Sequence, residues 1–350
     1  MTKIPLPGQQ AKGRPLLAMT MGDPAGIGPE IIVKALASEA IWCVCRPVVI
    51  GSLSVFQNMV QGLGSSLRVM AVPWDTPVPE WSVMKKGTLP VIDPLSPRLK
   101  TVRLGRAAAS SGAASVACIH TAVQLALAGH VSGMVTAPIN KEAMHMAGYD
   151  FRGHTELLAD LTHSKRVAMM LLGGPLKIVF ATTHLSIRDL PQALTVSRIS
   201  QAIRLAHHGL QEYFQIVAPR IAVAALNPHA GERGLFGQEE RLVIAPAVKR
   251  AKRLGIQTVG PLPADTLFGE AARGSYDAVV AMYHDQGLIP LKLMAFGKCV
   301  NVTIGLPIVR TSVDHGTAYD IVGTGQASPQ SLIEAIHLAA RLVQRRQSLS

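Results

Sequence analysis

The sequence predicts a two-lobed, three-layer α/β/α sandwich, and three observations carry that expectation. Short apolar or β-branched runs bounded by turn residues alternate with stretches whose apolar residues recur at three and four, as in parallel strands joined by crossover helices. Apolar residues make up 48% of the chain, enough for a large core. At 350 residues the chain exceeds the roughly 250–300 at which one core usually divides, so two lobes are expected.

Taken in order, Leu16 to Met21 and Pro47 to Ile50 read as buried strands, with a helix from Pro29 to Ala37 between them that Pro29 is well placed to open. A helix over Gly112 to Ala128 precedes a strand over Gly133 to Ala137, and Lys177 to Thr182 is the next strand. Helices follow over Val196 to Tyr213, with Ser197 as a candidate cap, and over Gln238 to Leu254, and these flank a strand at Arg220 to Leu226. Tyr276 to Met282 is the last clear strand, and Pro329 to Arg345, with Ser328 before it, the last helix. No repeat and no low-complexity linker marks a boundary, so we expect one lobe from both chain ends (1–130 with 303–350) and one from the middle (131–302), meeting at a cleft that holds the active site.

Several function classes are disfavoured. No uninterrupted apolar run approaches the ~18 residues of a membrane span. The stretch from Met1 to Arg14 has Lys3, Lys12 and Arg14 but no apolar core of signal-peptide length, so a cytoplasmic protein is expected, without a membrane partner. Cys43, Cys45, Cys118 and Cys299 are too few for a disulfide framework, and we read them as packing residues. The formal net charge of +12 suits an anionic partner. Its basic residues are scattered and aromatics are only 4%, so a small anionic substrate is expected rather than nucleic acid.

The chemistry concentrates in a few segments. Gly22-Asp23-Pro24-Ala25-Gly26-Ile27-Gly28-Pro29-Glu30 is a glycine-rich turn between strand and helix; it matches neither G-x-G-x-x-G nor a P-loop, and it reads either as an anion-binding N-terminus or as a tight turn. His184, His229 and His284 each follow a predicted strand, where the ligand crevice of an α/β sheet lies. Three imidazoles would leave an open coordination position, the arrangement of a catalytic divalent site, although the pattern alone leaves their convergence open. Gly153-His154-Thr155-Glu156 opens a helix and offers an imidazole and a hydroxyl to an anion. Lys292 and Arg310 follow strand-like segments, and a guanidinium there forks naturally onto phosphate or carboxylate. Val313 to Gly323, with His315 and Asp320, reads as a glycine-bearing loop.

Those blocks, together with Thr136-Ala137-Pro138, Leu226-Asn227-Pro228-His229-Ala230-Gly231-Glu232, Gly260-Pro261-Leu262-Pro263-Ala264-Asp265-Thr266, Met282-Tyr283-His284-Asp285-Gln286-Gly287 and Arg310-Thr311-Ser312-Val313-Asp314-His315-Gly316-Thr317-Ala318, run in the order found in 4-hydroxythreonine-4-phosphate dehydrogenases. The chain resembles that family from about Leu16 to its end. The resemblance implies the fold of isocitrate and isopropylmalate dehydrogenases, with 1–130 and 303–350 binding nucleotide and 131–302 carrying metal, substrate and dimer contacts. It implies a divalent metal (Zn, Mg, Co or Mn) on His184, His229 and His284, shared across a homodimer; substrate contacts from His154, Thr155, Lys292, Asn301 and Arg310; and NAD, or NADP, on His315, Gly316, Thr317, Ala318, Asp320 and Ile321. Asp265 or Lys292 is the candidate acid or base.

The expected reaction is oxidation with decarboxylation of a 4-phosphorylated four-carbon hydroxy acid, as in pyridoxal phosphate biosynthesis. Relatives of the family point to two other substrates, 4-phospho-threonate or -erythronate and the cis-dihydrodiol of terephthalate. Asp23 stands where some members that make vitamin B6 carry Glu, and Lys141-Glu142-Ala143, Leu157-Leu158-Ala159 and Gly234-Leu235-Phe236-Gly237 are similar to the sugar-acid relatives. A metabolite-binding protein that has kept the fold without catalysis is the reading from a different class.

Overall fold

The computed structural model describes residues 13–73, 85–95, 99 and 102–348; most of the Met1 to Arg14 stretch lies outside them. The chain divides into two compact units, one of Met1–Leu157 with Pro307–Gln344 and one of Leu158–Leu306 with Arg345–Ser350.

In the first unit the chain runs β1 (Leu16–Thr20), α1 (Gly28–Ala37), α2 (Glu39–Val44), β2 (Arg46–Ile50), α3 (Leu53–Gly62), β3 (Arg68–Ala71), β4 (Thr88–Ile92), α4 (Ala109–Leu127), β5 (Gly133–Thr136) and α5 (Lys141–Met146), and enters α6 (His154–Leu161). The second unit continues through β6 (Ala168–Gly173), β7 (Leu176–Phe180), α7 (Leu190–Ala193), α8 (Val196–Phe214), β8 (Ile221–Ala224), α9 (Ala245–Arg253), β9 (Thr258–Leu262), α10 (Ala264–Ala272), β10 (Ala278–Ala281), α11 (His284–Ala295) and β11 (Val300–Ile304). The chain returns to the first unit with β12 (Arg310–Val313) and α12 (Gln330–Gln347).

The first unit's strands lie in the order β3-β4-β2-β1-β5-β12, and every pair is parallel. β1 is buried on both faces, which is why its run LLAMT does not alternate. α4 is long and apolar enough, by length and composition alone, to cross a bilayer. Its buried face instead packs on the sheet, and Gly112 lets it approach α5 so closely that an added Cβ would meet Ala143 O at 2.0 Å. It is the core helix of this unit.

The second unit orders its strands β11-β6-β7-β10-β8-β9. β6 is antiparallel to both its neighbours, β11 and β7, whereas β7, β10, β8 and β9 are parallel. Ile178, Phe180, Leu267, Phe268, Val279 and Leu291 lie in its core. Gly287 lets α11 lie flat on β7, since a Cβ there would strike Phe180 and Ile178 at 2.7 and 2.8 Å.

Several expectations need correcting. The helix expected over Gln238 to Leu254 opens as a wide π turn at Glu240–Ile244, because Pro246 in the next turn has no N–H to donate. Thr195, not Ser197, caps α8, accepting the Arg198 N–H at 3.1 Å. Lys292 sits inside α11 and Arg310 opens β12, so neither follows a strand. Cys43 is exposed while the other three cysteines are buried, since Ile41 and Trp42 are the buried residues of the six-residue α2.

Candidate active site

The three strand-end histidines stand at the carboxyl ends of three neighbouring parallel strands: His184 after β7, His229 after β8, His284 after β10. The His184 and His284 rings lie 5.8 Å apart between centroids, and His284 opens α11 beside Phe180. His229 packs instead against Phe236, edge to face at 6.4 Å. Among the described residues no three His, Cys, Asp or Glu side chains of the single chain gather closely enough to hold an ion.

Two of the imidazoles are oriented by carboxylates. His284 Nδ1 lies 2.6 Å from Asp285 Oδ1, and His229 Nδ1 lies 2.9 Å from Glu232 Oε1. A carboxylate accepts, so Nδ1 is the donor in each pair and Nε2 is the nitrogen turned away from it, an arrangement that suits imidazole to a divalent ion.

The backbone around His229 is unusual. His229, Ala230, Gly231, Glu232 and Arg233 all have positive φ, between 41° and 76°. Left-handed backbone costs roughly 1–2 kcal/mol for each residue with a Cβ, so something must hold this turn in place. Glu240, 5% exposed, does so: Oε1 accepts the N–H groups of Leu226 and Asn227 at 2.8 and 2.7 Å, and Oε2 accepts Asn227 Nδ2 at 3.0 Å. Burial alone would raise its pKa, but those donors outweigh it and hold the carboxyl below its usual range.

A second constellation occupies the first unit. Arg310 is 1% exposed, and its Nε and Nη2 both donate to the Thr136 hydroxyl, at 3.2 and 2.7 Å. Burial pulls its pKa down to about 9, still a cation at neutral pH. His154 begins α6, with Thr155 next to it, and its Nε2 is shut off from solvent without a protein partner. Burial, and then the Arg310 charge, push its pKa well below the ordinary value, so this imidazole is neutral. His315 Nε2 and Asn301 Oδ1 are likewise buried without a protein partner. Asp265 is an exposed residue in the first turn of α10.

The glycine-rich turn is a tight βα connection. Its Asp23, Gly26 and Ile27 N–H groups donate to Pro138 O, Asp23 O and Thr317 O, and the Ala25 N–H donates to Asp23 Oδ1. Amides so engaged are not offered to an anion.

The family model for "Pyridoxal phosphate biosynthetic protein PdxA" matches residues 43–339. The chain belongs to the PdxA family. It is 50% identical over 330 residues to the 4-hydroxythreonine-4-phosphate dehydrogenase of Desulfosudis oleivorans, covering 93% of this chain and 95% of that one. It is 45% identical to the D-threonate 4-phosphate dehydrogenase of Salmonella typhimurium, covering 93% and 98%. Among solved structures, 4-hydroxythreonine-4-phosphate dehydrogenase from Klebsiella pneumoniae superposes with a TM-score of 0.85 at 43% identity, covering 94% and 100%. A terephthalate 1,2-cis-dihydrodiol dehydrogenase from Burkholderia xenovorans gives 0.63 at 32% identity, covering 94% and 98%.

Within this PdxA-family chain the sequence reading quoted Thr136, Glu232 and Asp285 only as motif positions without a role, and missed Glu240 altogether. Two carried a usable signal, since an acid next to a histidine, or three residues after one in a turn, is placed to reach Nδ1. The local pattern gave no role to Thr136 or Glu240, because their partners are 174 and 14 residues away.

Proposed function

We propose that the chain catalyses NAD- or NADP-linked, divalent-metal-dependent oxidation, with decarboxylation, of a four-carbon hydroxy acid phosphorylated at C4, of the 4-hydroxythreonine-4-phosphate type. The single observation that carries this reading is the fully buried Arg310 cation beside the neutral, solvent-shielded His154. A desolvated guanidinium with a hydroxyl and an imidazole next to it recognises a compact anion of high charge density. The names borne by the relatives support the same class. The phosphorylated threonate reading stands beside it, because a D-threonate 4-phosphate dehydrogenase is nearly as similar.

His184, His229 and His284 would hold a divalent cation, which would supply Lewis acidity toward the substrate's oxygen, and the nucleotide would supply the hydride acceptor. The chain's own residues do the rest. Arg310, His154 and Thr155 fix the phosphate, with the helix N-terminus behind Thr155 adding positive potential. Lys292, two turns along α11 from His284, and Asn301, whose buried Oδ1 accepts a hydroxyl, orient the carbon chain. Lys292 or Asp265 moves the proton. His315, Gly316, Thr317, Ala318, Asp320 and Ile321 hold the nucleotide, and a cavity of about 480 Å³, lined by Pro24, Val55, Met59, Leu104 and Gly323 to Gly325, supports placing an adenine beside them.

A homodimer with shared sites is the proposed assembly. Each histidine-bearing segment also exposes large apolar side chains: Ile187 (69%), Leu235 (73%), and on and after α11 Ile289 (60%), Leu293 (82%) and Phe296 (84%). Such a concentration marks a covered surface.

The deciding experiment is a substrate screen with NAD or NADP and each of Zn, Mg, Co and Mn, read as reduced-nucleotide absorbance. Turnover of 4-hydroxythreonine-4-phosphate or 4-phospho-threonate is expected. No turnover of any phosphorylated acid, or faster turnover of the terephthalate dihydrodiol, overturns the reading; binding without turnover would return the chain to the metabolite-binding class.

A further inference from the structure

The loop His315 to Ala327 is fastened at both ends to the segment Gly22 to Lys34. Near its start, Thr317 O accepts the Ile27 N–H at 3.0 Å, and the Tyr319 hydroxyl donates to Asp23 Oδ2 at 2.5 Å. Gly26 makes the first contact possible, since a Cβ there would lie 2.8 Å from both Thr317 Cβ and Thr317 O. At the far end, Glu30 Oε1 accepts the Ala327 N–H at 3.0 Å, and Lys34 Nζ donates to Glu30 Oε1, Gly325 O and Ala327 O, each at 2.7 Å. Ala318 between these points has a φ of 43°, a conformation a non-glycine residue keeps only when its surroundings impose it.

Asp23 and Glu30 are both 0% exposed. Burying two carboxylates is costly, so groups this deep are kept where their hydrogen bonds fix a geometry. What they fix is one wall of the 480 Å³ cavity, which Pro24 and Gly323 to Gly325 line.

We propose that Asp23, Glu30 and Lys34 are positioning residues that hold the His315–Ala327 loop in its nucleotide-binding shape, so that the glycine-rich motif sets cofactor affinity through this loop rather than by binding phosphate itself. The proposal rests on the assignment of His315, Gly316, Thr317, Ala318, Asp320 and Ile321 to the nucleotide; Tyr319 only fastens the loop to Asp23. It puts a function on a motif whose own amides are already engaged.

Two variants of the full chain test it, one at each end: Tyr319→Phe, which removes one oxygen, and Lys34→Met, which removes three donations. Amide hydrogen exchange across 315–327 should quicken in both, with the thermal midpoint little changed. KM for NAD should rise about tenfold, the scale of losing one hydrogen bond to a charged acceptor, while kcat at saturating NAD and KM for the phosphorylated acid stay within about twofold. A merely structural role would lower the midpoint and leave KM for NAD alone. Unchanged exchange in both variants, or faster exchange with an unchanged KM for NAD, overturns the proposal. If the parent protein fails to bind NAD or NADP, the cofactor assignment falls, and with it the link to affinity; quickened exchange would then leave the fastening itself standing.

Discussion

At the scale of single residues, charge and burial divide the labour. Arg310 is a buried cation, and under the proposed function an incoming phosphate would offset the cost of burying it. Arg310→Met should therefore weaken a phosphorylated substrate by about 2–4 kcal/mol, the range for losing one side of a buried charge pair, with NAD affinity nearly unchanged. Steady-state kinetics read this directly, and an unchanged kcat/KM for every phosphorylated acid would remove Arg310 from the site. His154 makes a pH prediction. Its folded pKa lies below the ordinary 6.5 of the unfolded chain, so between those values the unfolded state binds the extra proton. The stability it contributes is complete above pH 6.5 and is lost as pH falls toward the folded value. The thermal midpoint of His154→Gln should thus fall less steeply on acidification than that of the parent protein; parallel curves would show that His154 is not held neutral. At the histidines, His184→Ala, His229→Ala or His284→Ala should each remove most activity and leave the midpoint nearly unchanged, because His184 and His229 are exposed and His284 only half-buried, so none carries much of the fold. Full activity of His229→Ala after chelation would end the metal reading.

At the scale of elements, the left-handed turn after β8 ties stability to the site. Glu240→Ala would leave the Leu226 and Asn227 N–H groups and the Asn227 amide without their acceptor, at about 3 kcal/mol, and release the turn that carries His229. Chemical denaturation should show the loss, and metal titration a weaker site; an unchanged metal affinity would mean that the turn's shape does not matter to His229. The same turn shows what the sequence could convey. β1, β2, β5, β7, β8 and β10 were legible because their buried runs stand between turn residues, and so were the histidines that follow three of them. β6 was not, because its AMMLL run is made of good helix formers and only its place beside β11 and β7 makes it a strand. β12 is polar (RTSV) because Arg310 and Ser312 both bond to Thr136 on β5, and β9 contains Gly260 and Pro261. The run of positive φ from His229 to Arg233 has no signal at all, since four of its five residues are not glycine. Local pattern reports burial; long-range partners decide the rest.

At the scale of the whole molecule, the question is where one complete site comes from. A net charge of +12 draws anionic substrates toward the protein and raises their encounter rate, an effect that falls with salt. It does not say how many chains make a site. The proposed second copy would cover the exposed apolar side chains beside each histidine, and a C2 pair would present each chain's histidine segments to its partner. Mixing Arg310→Met with His284→Ala tests this, since each variant alone should be inactive. If Arg310 and His284 serve one site from opposite chains, a mixed dimer has one site carrying both changes and one carrying neither. Random exchange puts half the dimers in the mixed state, so recovery should approach about a quarter of the parent activity. If both residues serve a site from the same chain, every site in the mixture carries one defect and nothing recovers. Tagging the two variants differently and isolating the mixed species fixes the denominator: mixed dimers without activity would refute sharing between these two residues, and an active monomer by sedimentation would refute the dimeric site altogether.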